Sequence, residues 1–394
     1  MHKITTLICL LLFSTVPLIG QDVMVVRSQK GESRVMRVSD LLAIEFTDHK
    51  QQNDLFVGTE INPLASAYLG TVVYSDDDYR KSEIGRFLPP EGTRGDHPLP
   101  IRLHAPKEAA TADRVRVFSA EGGFELPQLA KVERGEAVVH HLLPNRTYRV
   151  LWLAENSFAP LAESSIFATG ELRMIGLKRV LNVRDFGGWP AMEGRRVRHG
   201  WLYRGAQLHN PADGTIATEA DVTELRRLGI RAELDLRGNQ ESGKITASPL
   251  GNDIRYYRIA GGGIYPYAEM ITRFPEDIKE VFREVLDNLR QGRPTYIHCA
   301  QGADRTGTIA FLLNGILGVS ESDLAKDFEL TSLSPVGIRS RVFYPEQKEI
   351  NYAALVRALD KYNGQTLLER LENYFLSVGI TRAEIEEYRL FMLY

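Results

Sequence analysis

Cys299, preceded by His298, is separated from Arg305 by Ala300, Gln301, Gly302, Ala303 and Asp304, with Thr306 and Gly307 directly behind. These types at this spacing could do chemistry together. A thiol attacks only as its thiolate, and its pKa falls from about 8.5 toward neutrality or below beside a guanidinium or a helix N-terminus. Arg305 offers a planar two-donor fork that suits phosphate oxygens. The Thr306 hydroxyl can donate to the thiolate. A nucleophile and an anion clamp are parts needed for attack at phosphorus.

Such residues need a rigid frame. Residues 294–297 hold a β-branched and an aromatic side chain, and residues 306–317 are apolar on nearly every side, which predicts a short strand and a buried helix. A strand, a tight loop and a helix in that order let the amides of Ala300 through Arg305 curl inward, with the helix aiming its free N–H groups at the same point. An anion is the natural occupant. The plain alternative, a cysteine serving as a small core residue, leaves the spacing of the arginine, threonine and glycine unexplained.

His298-Cys299, five residues and then Arg305-Thr306-Gly307 resembles the HC-x5-R-[ST]-G signature of the protein tyrosine phosphatase superfamily. With Asp304 before the arginine, the loop is most similar to the bacterial branch that reads HC-x-x-G-K-D-R-T-G. Three further stretches resemble elements of that branch in the same order: Asn182-Val183-Arg184-Asp185-Phe186-Gly187-Gly188, Tyr203-Arg204-Gly205, and Asp235-Leu236-Arg237 with Glu241. The resemblance implies a catalytic domain over residues 175–394. It implies Cys299, Arg305 and Asp304 as catalytic residues, with Ala300, Gln301, Gly302, Ala303, Thr306 and Gly307 around the substrate phosphate and His298, Arg184 and Asp185 in support. Asp185 is the reserve candidate for the proton donor. No W-P-D sequence is present, since Gly188-Trp189-Pro190 is followed by Ala191.

The chain has 394 residues, 48 Lys and Arg against 51 Asp and Glu, a net charge of -3, and a hydrophobic fraction of 43%, which together predict a globular protein of two or more domains. No basic run favours nucleic acid or an anionic membrane. Residues 1–20 join His2 and Lys3 to an apolar run and Pro17, which reads as a secretory signal peptide too short to span a bilayer. The expected location is periplasmic or extracellular. Of the two cysteines, Cys9 falls in that segment, so Cys299 would stand alone without an internal disulfide.

Residues 22–55 predict a hairpin with a short third element near 41–44 and a linker-like stretch at 50–54. Residues 56–170 hold repeated short β-type runs, among them 67–69, 71–74, 114–118, 137–140 and 148–152, which predict a β-sandwich. Leu143-Pro144-Asn145-Arg146-Thr147-Tyr148 resembles the tyrosine corner of fibronectin type III and related immunoglobulin-like domains, where the tyrosine hydroxyl bonds back to the main chain. The sandwich is expected to be a spacer or a docking surface for a protein partner. Asp76-Asp77-Asp78 is an acidic turn without an assigned role.

The remainder alternates helix and strand. Thr218 and Asp221 form a capping box for a helix over 218–228, ended by Gly229. Strands are expected at 230–236 and 254–259, a glycine-rich loop at 261–263 that either closes over substrate or simply connects its neighbours, and helices over 276–290, 321–330, 350–362, 366–378 and 382–393. The fold class is therefore multidomain: an N-terminal β-sandwich, then an α/β phosphatase domain with a mostly parallel central sheet flanked by helices. The expected reaction is metal-independent phosphomonoester hydrolysis through a cysteinyl phosphate, with no cofactor. Phosphotyrosine in a protein or peptide is the leading substrate, with phosphoserine or phosphothreonine behind it. Ala303 stands where related loops often carry a lysine associated with phosphoinositides, which moves an inositol phosphate or phosphoinositide to second place. A phosphate-binding module without turnover is the third reading.

Overall fold

The computed structural model describes residues 23–27, 33–37, 55–58, 61–71, 83–210, 214–243, 245–259, 266–341 and 352–394. The expected signal peptide, the third element near 41–44, the linker at 50–54, the run 72–74, the acidic turn 76–78 and the glycine run 261–263 lie outside the described residues. The chain divides into two compact units, Met1–Lys50 and Gln51–Tyr394. In the first, β1 (Val23–Arg27) pairs antiparallel with β2 (Ser33–Arg37), the expected hairpin. No described helix is long and apolar enough to cross a membrane.

The second unit opens with β3 (Leu55–Gly58) and then a helix, α1 (Pro63–Leu69), where the sequence suggested a strand at 67–69. The reason is local. Asn62 caps the helix by accepting the Leu64 amide, and Pro63 sits at the first turn, where its missing N–H costs nothing. There follow β4 (Ile101–His104), β5 (Arg114–Ser119), β6 (Gln128–Glu133), β7 (Glu136–Val139), β8 (Arg146–Leu153) and β9 (Pro160–Thr169). Their hydrogen-bonded order is β3-β9-β8-β5-β6-β7-β4. Alternate residues such as Val115, Val117, Val139, Tyr148, Val150, Trp152 and Ile166 converge on one core. The Tyr148 hydroxyl accepts the Leu143 amide at 2.8 Å, the backbone bond that the corner motif implies.

A five-stranded mixed sheet follows, formed by β10 (Arg184–Asp185), β11 (Leu202–Gly205), β14 (Ala232–Asp235), β15 (Arg255–Arg258) and β16 (Thr295–His298) in the order β10-β11-β16-β14-β15. A two-stranded ribbon of β12 (His209–Asn210) and β13 (Gly214–Thr215) lies between β11 and β14 in sequence. Only the β10–β11 pairing is antiparallel; β16 runs parallel to both β11 and β14. It is thus central and buried along its length, which suits Thr295-Tyr296-Ile297-His298.

Helices flank the sheet: α2 (Glu219–Arg227), α3 (Asn239–Ser242), α4 (Ala268–Arg273), α5 (Pro275–Arg290), α6 (Asp304–Gly315), α7 (Glu321–Leu330), α8 (Tyr352–Arg357), α9 (Leu367–Ser377) and α10 (Arg382–Met392). Thr218 and Asp221 make the capping box on α2 that their spacing predicts. α6 is buried from Thr306 to Gly315. Its Ile309, Phe311, Leu312 and Leu313 join Phe282 of α5 and Phe375 of α9 in the main core. At roughly 1.5–3 kcal/mol for each buried large apolar side chain, this packing fixes the helix whose first turn completes the loop.

Candidate active site

The loop runs from His298 at the end of β16 to Asp304 at the start of α6. Its sharpest bend is Gly302, with φ +65°. A Cβ there would lie 2.2 Å from the Gly205 carbonyl, so the close approach of loop and β11 requires glycine. Two side chains tie down the outer carbonyls. Asn182 Nδ2 donates to the Gly302 oxygen at 3.0 Å and to the Gln301 oxygen at 3.3 Å, and Arg204 Nη2 donates to the Gly302 oxygen at 3.0 Å. Arg184 holds Asn182 Oδ1 at 2.5 Å.

One carboxylate organises those arginines. Asp327 on α7 accepts Arg184 Nε at 2.8 Å on one oxygen and Arg204 Nη1 at 2.5 Å on the other. All three side chains are almost fully buried, so each charge depends on its partners. The Asp327 carboxyl would be pushed up by burial, but the two guanidiniums hold it below the usual carboxylate range. The Asn-x-Arg and Tyr-Arg-Gly stretches thus act as a cradle beneath the loop.

Cys299 is buried, 3% exposed. Burial alone would raise its pKa; the Arg305 charge, the Thr306 hydroxyl and amide and the Gln301 amide reverse this, and the thiol lies below its ordinary value. Thr306 Oγ1 is itself buried without a hydrogen-bond partner of full geometry, which leaves its proton for the sulfur. Arg305 is held in a fork by Glu241 of α3, at 2.5 and 2.7 Å.

Behind the cysteine is a buried acid–base cluster. His298 Nε2 and His209 Nε2 each lie 2.8 Å from Glu233 Oε1. His298 Nδ1 lies 3.1 Å from the Cys299 carbonyl oxygen. Burial opposes charging of His298, but Asp235 and Glu233 outweigh it and raise its pKa. Both ring nitrogens of His298 thus face an oxygen acceptor. Asp235 is gripped by the Arg237 fork at 2.8 and 2.7 Å and accepts the Tyr256 hydroxyl at 2.9 Å. His209, Asp235 and His298 come close enough to hold a cation, but their ligand atoms are already engaged by Glu233 and Arg237.

Asp304 stands at the first turn of α6, its Oδ1 and Oδ2 taken by Arg339 at 2.6 and 2.9 Å and Oδ1 also by the Tyr267 hydroxyl. Asp185 lies elsewhere. It accepts the Gly187 amide at 2.9 Å and the Gly200 amide at 2.8 Å and pairs with Arg173 at 3.4 Å. The loop therefore gathers Cys299, Asp304, Arg305 and Thr306 in one turn. Arg184 and His298 brace it, whereas Asp185 belongs to an ion pair of the surrounding framework.

Sequence reasoning missed Asn182, Arg204, Asp327, Glu233, His209 and Arg339 as parts of this arrangement. The first two lay inside quoted motifs and carried a signal. Asp327, Glu233, His209 and Arg339 did not, because their partners are far away in the chain.

The chain is 27% identical over 195 residues to a Cupriavidus necator protein provisionally named a tyrosine-protein phosphatase, covering 45% of this chain and 69% of the relative. It is 29% identical over 132 residues to a Nostoc commune tyrosine-protein phosphatase, covering 29% of this chain and 45% of that one. Among solved structures, P. aeruginosa TpbA aligns with a TM-score of 0.29 and 15% identity over 47% of this chain and 89% of its own. DUSP15 aligns with a TM-score of 0.27 and 19% identity over 47% of this chain and 90% of its own. The model of the tyrosine phosphatase family matches residues 175–393, more than half of the chain, so the protein belongs to that family and is a phosphatase.

Proposed function

We propose that the protein hydrolyses phosphomonoesters through a covalent cysteinyl phosphate, with phosphotyrosine in proteins or peptides as the leading substrate. The reading rests on one observation: Cys299, its thiol held below the ordinary value, shares a single loop with Arg305 and the buried hydroxyl of Thr306. The Cys299 thiolate attacks phosphorus and the ester oxygen leaves with a proton from Asp304. Water then attacks phosphorus and gives its proton to the Asp304 carboxylate as the S–P bond breaks, which frees phosphate and regenerates both the thiolate and the acid. Arg305 and the loop amides stabilise the equatorial oxygens in both steps. His298 and Arg184 keep the loop in shape, and Asp185 serves the framework.

The substrate reading is supported by Ala303, which is buried and brings no lysine to the loop. Residues 56–170 are read as a fibronectin type III-like positioning module, and residues 1–20 as an export signal that sends the enzyme to the periplasm or beyond. Phosphate release from a phosphotyrosine peptide, in EDTA with a reductant, tests the activity. Turnover that persists in EDTA and disappears in Cys299→Ser supports it. Faster release from inositol phosphates would move the substrate to that class, and binding without release would leave a phosphate-binding module.

A further inference from the structure

Asp304 is seized at both oxygens by Arg339, from the segment that follows α7. The place of Arg339 is built into the fold. Its amide donates to Ser332 Oγ at 2.8 Å and its carbonyl accepts from the same hydroxyl at 2.7 Å, so its backbone is latched independently of its side chain. Its Nη2 also donates to Gln301 Oε1 at 3.2 Å, which brings the guanidinium against the loop itself. Tyr267, whose amide donates to Thr308 Oγ1 of α6 at 2.9 Å, approaches Asp304 with its hydroxyl. Arg305 is the other charge facing Asp304, and it is occupied by Glu241.

We propose that Arg339 is a positioning residue of the reaction: its two-pronged grip fixes where the Asp304 carboxyl stands and the pH above which that carboxyl can no longer deliver a proton. The proposal rests on the reading of Asp304 as the acid. Burial would push the Asp304 carboxyl up, but the bonds from Arg339 and Tyr267 and the charges of Arg339 and Arg305 hold it below the usual range. An acid works only while protonated, so above its pKa the working fraction falls about tenfold per pH unit. The Arg339 grip on Asp304 therefore lowers the pH up to which the carboxyl keeps its proton.

The test is kcat/KM for phenyl phosphate against pH with the full-length protein, since a poor leaving group needs the proton and this ratio includes the first transfer. Arg339→Gln moves the alkaline limb upward, by about one pH unit if the fork contributes about a tenfold bias toward the ionised form, and Arg339→Lys brings the limb back toward wild type. Asp304→Asn is slow and lacks the limb, and adding Arg339→Gln to it changes nothing further. If Arg339→Gln keeps the wild-type limb while Asp304→Asn loses it, Arg339 is not the positioning residue although Asp304 remains the acid. If Asp304→Asn retains both the rate and the limb, the acid lies elsewhere and both readings fall.

Discussion

At the scale of the residue, the decisive quantity is the charge on Cys299. A buried thiol would ordinarily be neutral, and here Arg305 and Thr306 outweigh the burial. Removing the hydroxyl with Thr306→Val takes away one stabilising donor, worth about 1.5–3 kcal/mol to a charged acceptor. The pH at which iodoacetamide alkylates Cys299 at half its maximal rate should therefore rise. An unchanged midpoint would mean that Arg305 and the amides suffice. The nucleophile, the arginine and Asp304 were all legible in the sequence because they lie within seven consecutive residues. Arg339 was not, because its contact with Asp304 spans 35 positions.

At the scale of the element, the loop keeps its shape because β16 and α6 are buried and Asp327 pairs both arginines of the cradle beneath it. Asp327→Asn leaves Arg184 and Arg204 as buried charges with a neutral partner, and loss of one member of such a set costs about 3–5 kcal/mol. We expect a lower urea midpoint together with reduced turnover, measured by tryptophan fluorescence and phosphate release. A variant that keeps its stability but loses turnover would make Asp327 a feature of the chemistry instead of the scaffold. The helices were readable where caps and apolar periodicity agreed, as at Thr218 and across 276–290. Residues 67–69 misled because Ala-Tyr-Leu suits a strand by composition, whereas the Asn62-Pro63 start that selects a helix lies several residues earlier.

At the scale of the whole molecule, the β-rich region and the phosphatase region are joined by buried polar groups as well as apolar ones. Phe124 meets Trp201 edge to face at 4.6 Å, and Arg173 bonds Glu125 and the His141 carbonyl. His141 Nε2 accepts the Gly176 amide at 2.9 Å, so that nitrogen carries no proton, and Nδ1–H donates to Glu224 at 2.5 Å. Burial pushes His141 down to about 4, against the pull of Glu224, with Arg227 and Arg173 also disfavouring charge. For Glu224, burial acts upward, but Arg227 and His141 reverse it and leave its pKa lowered. Both groups bind fewer protons folded than unfolded, so both weaken the fold as pH falls. For His141 the loss begins near pH 6.5, about its unfolded value, and is complete near 4. Urea midpoints should thus decline between pH 7 and 5, and His141→Gln should flatten that slope; an equal slope in the variant would assign the loss to other groups. None of this junction was visible in the sequence, since it pairs residues that no local pattern connects.

The covalent intermediate is the central claim, and rapid acid quenching during turnover of a phosphotyrosine peptide tests it most directly. Peptide mass spectrometry should find one added phosphoryl group on Cys299 in the wild-type enzyme and none in Cys299→Ser. Turnover at the full rate with no phosphoryl group ever captured on Cys299, or with one captured on another residue, would contradict it.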